Sequence, residues 1–166
     1  PMANPAPISA MLVGVAQPQL MENMAHVLLS RNVTRAWIVH GHGGLDELSL
    51  SGPNSVCDVR NGEISMITVD AADYGIARAD VSAVVGGDAA ANVATLRAVF
   101  AGQTGPVRDI VTFNAGCALM LSGAVAQIDE GIAAVRATLD SGAAQKLLDA
   151  VVAVSTREAQ RMEASS

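Results

Sequence analysis

Aromatic residues are nearly missing from this 166-residue chain: phenylalanine, tyrosine and tryptophan together make up 2%. That excludes a core built on ring packing and the aromatic platforms on which single-stranded nucleic acids stack. Charged residues are scarce too, at 16%, and the acids outnumber the bases 16 to 10, for a formal net charge of −6. Without a clustered basic face the chain lacks what non-specific binding to nucleic acid or an anionic membrane requires. No apolar run is long enough for a transmembrane helix. The two cysteines, Cys57 and Cys117, form neither a disulfide framework nor a CxxC pair. They predict isolated buried thiols in a reducing, cytoplasmic compartment. There is no basic leader, internal repeat or linker, which predicts a single unit over residues 1–166. The chain opens on Pro1-Met2 rather than an initiator methionine and reads as part of something longer.

What is present is aliphatic: hydrophobic residues reach 51%. The proline-rich start, Pro1 to Pro7, cannot be regular structure. Met11 to Ala16 is a short apolar run that suits a strand buried on both faces. Gln17-Pro18 then opens a helix, with Leu20, Met24, Val27 and Leu28 at helical spacing up to about Ser30. Ala36 to Val39 is a second apolar run. Strand, helix and strand at this spacing predict a parallel, right-handed βαβ unit. Leu48 to Leu50 follows as a short apolar segment. Ser55–Arg60 and Glu63–Asp70 flank Asn61-Gly62, the strongest short hairpin signal, so an antiparallel hairpin is appended to the parallel core. Asp70 to Gly87 reads as irregular or as short turns.

A helical pattern begins at Asp88, which can cap a helix carrying Val93, Leu96, Val99 and Phe100 and stopped by Gly102. Pro106 opens another through Leu121, stopped by Gly123. Val125, Ile128, Ile132, Val135 and Leu139 define an amphipathic helix. Ser141 caps the last helix, with Leu147, Leu148, Val151 and Val152 expected inward and a polar tail fraying from Arg157 to Ser166. The whole reads as strands, one helix and a hairpin over 1–87, helices over 88–162, and a frayed end at 163–166.

The chemistry gathers in His40-Gly41-His42-Gly43-Gly44-Leu45-Asp46-Glu47. In parallel α/β folds ligands bind at the carboxyl ends of strands, which is where this segment falls. Its glycines let a backbone approach a ligand closely. Asp46 and Glu47 are adjacent carboxylates of the kind that hold Mg²⁺ together with substrate phosphates, or else they are solvated loop charges. A zinc hydrolase motif fails, because Gly44 and Leu45 stand where an aspartate and a histidine are needed. His26 lies on the preceding helix, so His40 reads as a strand-end histidine bonded to backbone. Gly86-Gly87-Asp88 could receive an anion at a helix start, although it also makes an ordinary cap. Ser49 and Ser51 stand near a histidine without a nucleophile elbow, and no P-loop is present.

Several blocks, in order, resemble anthranilate phosphoribosyltransferase. Pro1-Met2-Ala3-Asn4-Pro5-Ala6 is similar to the family's G-P-[LM]-x-N-P-A turn without its glycine, and Leu12-Val13-Gly14-Val15 to the strand that follows. His40-Gly41 with Gly44-Leu45-Asp46-Glu47 matches the H-G-x-x-G-[LF]-D-E block, the most specific of the set. Gly86-Gly87-Asp88 with Asn92, Asn114-Ala115, Glu130-Gly131 and Asp140-Ser141-Gly142-Ala143 complete it. The resemblance implies transfer of phosphoribosyl from phosphoribosyl pyrophosphate to anthranilate, in tryptophan biosynthesis. It implies the fold shared with pyrimidine nucleoside phosphorylases, with this chain as the C-terminal half of the larger α/β domain. It further implies that Asp46 and Glu47 hold a Mg²⁺ that contacts the pyrophosphate, on a loop shaped by His40, Gly41 and Gly44. The family's G-T-G-G-D phosphate loop, its K-H-G-N-R stretch, its anthranilate-binding arginine and its dimer-forming helical domain have no counterpart in these residues. The 166 residues alone are therefore expected to be inactive, and a non-catalytic module that keeps only the fold is the alternative reading.

Overall fold

A computed structural model of the chain describes residues 8–163. The proline-rich block from Pro1 to Pro7 and the last three residues lie outside the described residues. Strands β1 (Ala10–Gly14), β2 (Arg35–His40), β3 (Asn54–Arg60) and β4 (Glu63–Val69) form one sheet in the order β1-β2-β3-β4. β1 and β2 run parallel, and the pairs β2–β3 and β3–β4 are antiparallel. The predicted α/β fold, a parallel βαβ core with an appended hairpin and following helices, is the one observed. Asn61 and Gly62 sit at the hairpin tip with φ of 51° and 92°. Those two positive angles are what a two-residue turn needs to match the right-handed twist of its strands.

Helix α1 (Leu20–Ser30) connects the parallel strands. Two short 3-10 turns, Ala71–Tyr74 and Val81–Val84, follow the hairpin. Then come α2 (Ala89–Phe100), α3 (Pro106–Ser122), α4 (Ile128–Asp140) and α5 (Ala143–Glu163). Pro106 opens α3, where its missing N–H has no partner to lose, and Gly123 closes it at φ 80°.

The contacts gather the described residues into two units, one comprising 8–85 with Gly105–Val135 and the other Gly86–Thr104 with 136–163. The boundary between Val135 and Arg136 falls inside α4. A boundary within a continuous helix leaves no linker composition in the sequence. In the first unit, alternate residues of β2 serve two cores. Ala36 and Ile38 meet Met21, Ala25 and Leu28 of α1, whereas Trp37 and Val39 meet Ile110, Phe113, Cys117 and Leu121 of α3. β2 is covered on both faces, so its apolar residues are continuous rather than alternating. The cysteines divide likewise, Cys57 in the α1 core and Cys117 in the α3 core, and both are buried free thiols.

In the second unit Val99 and Leu139 are the buried apolar side chains, and Arg97 pairs with Asp149 at 3.7 Å.

Three side-chain expectations need correction. In α1 the buried stripe is Met21, Ala25 and Leu28, while Leu20 and Val27 are exposed. In α2, Val93 and Leu96 are exposed. α5 buries none of its described residues, and Leu147, Val151 and Val152 face outward. It also stays helical through Glu163 instead of fraying from Arg157. Helical spacing identifies an apolar stripe; it does not show that anything covers it.

Candidate functional site

The strand ends build the site. Gly14 and Val39 are register partners at the carboxyl ends of β1 and β2, and His40 closes β2. His40 turns back: its Nδ1 donates to the Val15 carbonyl at 2.9 Å, and since a carbonyl only accepts, the tautomer is settled. The next residues form a tight loop. The Gly41 N–H donates to the Leu45 carbonyl at 2.8 Å and the Gly44 N–H to the Gly41 carbonyl at 3.0 Å. Gly43 and Gly44 adopt φ of 81° and 88°, which side-chain-bearing residues rarely enter.

That loop lays the backbone of Asp46 and Glu47 onto two glycines. A Cβ on Gly14 would stand 1.4 Å from the Asp46 carbonyl oxygen, and one on Gly41 would stand 2.1 Å from that of Glu47. Both carboxylates are exposed at the strand ends, and among the described residues neither makes a hydrogen bond or ion pair. The Glu47 carboxyl is pushed above its ordinary range, first by desolvation and second by the negative charge of Asp46 beside it. A pair of like charges that no described residue pairs with is the donor set that a hard divalent ion takes in combination with phosphate oxygens. Mg²⁺ therefore fits the residues present. Among the described residues no cluster of three or more acids, histidines or cysteines exists that could hold a metal unaided.

Two asparagines tie the loop down. The Oδ1 of Asn54, fully buried at the start of β3, accepts from the His42 N–H at 3.1 Å and the Ser49 N–H at 2.7 Å. Its Nδ2 donates to the carbonyls of Ser49 at 3.1 Å and Val69 at 3.0 Å. Asn114 of α3 reads Leu48 on both sides, accepting from its N–H at 2.9 Å and donating to its carbonyl at 2.8 Å. Neither asparagine could be assigned a role from the sequence: Asn54 follows Gly52-Pro53 as a turn residue does, and Asn114 gives no hint of where an interior helix side chain points. Gly14 did carry a signal, because a glycine at the end of an apolar strand marks close backbone approach.

The other candidates lie apart. His26 is exposed on α1. His42 Nδ1 is 2.9 Å from Ser51 Oγ, but that hydroxyl also reaches the His42 carbonyl at 3.1 Å and Ser49 Oγ at 2.9 Å, so its one proton has several acceptors and the ring is not a dedicated base for it. At Gly86-Gly87-Asp88 the cap reading is the one seen, with Asp88 accepting from the Ala91 N–H at 2.8 Å. The Asn92 amide bonds the Gly87 N–H at 2.8 Å and its carbonyl at 3.0 Å, occupying the donor an anion would need. A cleft of about 280 Å³ opens at the far end of β2, lined by Arg35, Arg60, Tyr74 and Asp129 among others. No described helix is long and apolar enough to cross a membrane.

Known proteins match along most of the chain. An anthranilate phosphoribosyltransferase of Rhodopseudomonas palustris (strain HaA2) is 41% identical over 155 residues, which is 93% of this chain and 46% of the relative. The crystal structure of the enzyme of that name from Thermus thermophilus superposes with a TM-score of 0.81 at 35% identity, over 90% of this chain and 44% of that one. The Saccharomyces cerevisiae protein in complex with PRPP and Mg superposes at 0.78 with 22% identity, over 90% of this chain and 43% of that one, a likeness of fold alone. The chain thus spans about half the length of the curated relatives it matches. The family model described as glycosyl transferase family, a/b domain, matches residues 1–145. With most of its length so matched, the chain belongs to the glycosyl transferase family, through the family's a/b domain.

Proposed function

We propose that residues 1–166 are the C-terminal part of the α/β domain of an anthranilate phosphoribosyltransferase, which takes phosphoribosyl pyrophosphate and anthranilate as substrates. One observation carries the reading: two adjacent, unpartnered carboxylates stand at the carboxyl ends of parallel strands, on backbone that Gly14 and Gly41 bring close. The relatives of that name, similar over 93% of this chain, support the same activity.

In the reaction the anthranilate amine attacks the anomeric carbon of the ribose. The new C–N bond forms as the C–O bond to pyrophosphate breaks, through a transition state of oxocarbenium character. Asp46 and Glu47 would hold Mg²⁺, which when bound supplies positive charge to the departing pyrophosphate. The two side chains supply that attraction because a chain of net charge −6 otherwise repels a polyanion. His40, Gly41 and Gly44 shape the loop that aims them. The phosphate loop and anthranilate-binding arginine that the family resemblance implies have no counterpart in these residues, so the 166 residues alone are expected to show no phosphoribosyl transfer. The full-length protein is proposed to be a cytoplasmic homodimer that engages neither nucleic acid nor membrane.

The test is the pair Asp46→Asn with Glu47→Gln in the full-length protein. Both changes keep shape and remove charge. Activity is expected to fall by more than about tenfold, or ~1.4 kcal/mol in transition-state stabilisation. Its Mg²⁺ dependence should change while the protein stays folded, with a melting temperature no lower than before. Unchanged activity across a Mg²⁺ titration would return the pair to the role of solvated loop charges.

A further inference from the structure

We propose that Asn54 and Asn114 are positioning residues for the Asp46–Glu47 pair: Asn54 closes the loop that carries it and Asn114 fixes that loop to α3. The proposal rests on the metal reading of Asp46 and Glu47 above.

The geometry of Asn54 is that of a ring closure. Two N–H groups from opposite ends of the loop, His42 and Ser49, converge on its single Oδ1 at 3.1 and 2.7 Å. The residues between them include Gly43, Gly44, Asp46 and Glu47, so one buried side-chain atom sets the span of the metal-bearing segment. The amide nitrogen holds the Ser49 carbonyl and, through Val69, anchors the closure to β4. All four bonds of the Asn54 amide are used, so the side chain has one orientation and no alternative.

Asn114 acts at the residue after the pair. Its amide takes both the N–H and the carbonyl of Leu48, the pattern a neighbouring strand would offer, and it also donates to the Ile110 carbonyl at 3.0 Å within α3. Leu48 is fully buried in the core that Trp37 and Phe113 share. Glu47 is thus one residue from a backbone held by a helix, and its own carbonyl rests against Gly41. Two free carboxylates on an unsupported glycine loop would need to be ordered at the moment of binding, and that ordering subtracts from affinity. Here the ordering is done in advance by groups that never touch the ion.

The experiment uses the 166-residue chain with Mn²⁺ and inorganic pyrophosphate together as the probe, since the pair takes its ion in combination with phosphate oxygens, with binding read by water-proton relaxation and loop order by amide hydrogen exchange at residues 42–49. Asn114→Leu keeps the branching at Cγ, raises helix propensity and is expected to leave a cooperative melt. It should weaken Mn²⁺ by about tenfold, the low end for residues that support metal ligands indirectly, and speed exchange across the loop. Asn54→Ser, which cannot span both ends, should weaken Mn²⁺ at least as much. Asn114→Gln, with the same amide on a longer arm, should recover part of the loss. Asn114→Leu binding Mn²⁺ within twofold of the unaltered chain, while folded, overturns the positioning role and leaves the metal reading intact. If the unaltered chain shows no Mn²⁺ binding that Asp46→Asn with Glu47→Gln abolishes, the metal reading falls and the positioning role with it. Unchanged exchange in a folded Asn54→Ser chain overturns the ring closure.

Discussion

The residue whose replacement has the sharpest expected outcome is Gly14. Its Cβ would lie inside the Asp46 carbonyl oxygen, a backbone atom that cannot rotate away. Gly14→Ala is expected to cost about 3 kcal/mol, the upper end for an overpacked site, and to displace Asp46 from the strand end. Gly44→Ala is the control. Nothing lies within 4 Å of its Cβ, so only its φ of 88° is penalised, at about 1 kcal/mol. Urea midpoints of the two variants separate collision from conformational strain. Glu47 makes a different prediction, in pH. Its folded carboxyl titrates above its ordinary 4.5, so the native state binds its proton more tightly than the unfolded chain does. The stability this gives is fully present below 4.5 and is lost as pH rises through the folded value. In metal-free buffer, Glu47→Gln should therefore melt higher than the unaltered chain at neutral pH and converge with it in acid. A lower melting temperature for the variant at pH 7 would show that the ionised carboxylate is stabilised and not penalised.

Among the elements, α4 and α5 look alike in sequence and should respond differently. Ile132 of α4 is buried against the α3 core. Ile132→Ala is expected to remove about 2–5 kcal/mol. Leu147 and Val151 of α5 are exposed, and changing both to Gln should shift stability by no more than about 0.5 kcal/mol each. Chemical denaturation of the three variants measures this. The contrast also marks what the sequence could reveal. Local signals were legible: Asn61-Gly62 for the hairpin, Pro106 and Gly123 for the limits of α3, Asp88 for a cap, and a continuous apolar β2 for a strand covered twice. The histidine-glycine-carboxylate segment was likewise readable as lying at strand ends. What stayed hidden depends on partners distant in the chain. Whether Val151 is covered, and that Asn114 reaches a backbone 66 residues away, are consequences of packing that no local pattern encodes.

At the scale of the whole molecule, β1 and β4 are the edge strands of the sheet among the described residues, and β4 exposes Met66 and Ile67. An uncovered, partly apolar edge invites pairing with another chain. The 166 residues alone are expected to associate as concentration rises, and Met66→Lys should reduce the light scattering; a heat-stable monomer at high concentration would count against this. The thiols report on the same body from within. Burial pushes Cys117 up to about 12 and raises Cys57 as well. Both should resist a thiol reagent until the chain unfolds, and in a denaturant titration they should label together if the cores on the two faces of β2 open as one. The hairpin tip sets a slower clock. Asn61-Gly62 lets the following backbone nitrogen attack the side-chain amide, because glycine offers no side chain to hinder it. Ammonia leaves, a succinimide forms, and its hydrolysis yields mostly isoaspartate, which lengthens the main chain by one carbon. A two-residue turn has no slack for that carbon, so the Arg60–Glu63 register beside it must yield. The turn chemistry that brings β3 and β4 together is thus also where stored protein is expected to age first, visible as a new acidic species whose peptide map changes only at the hairpin.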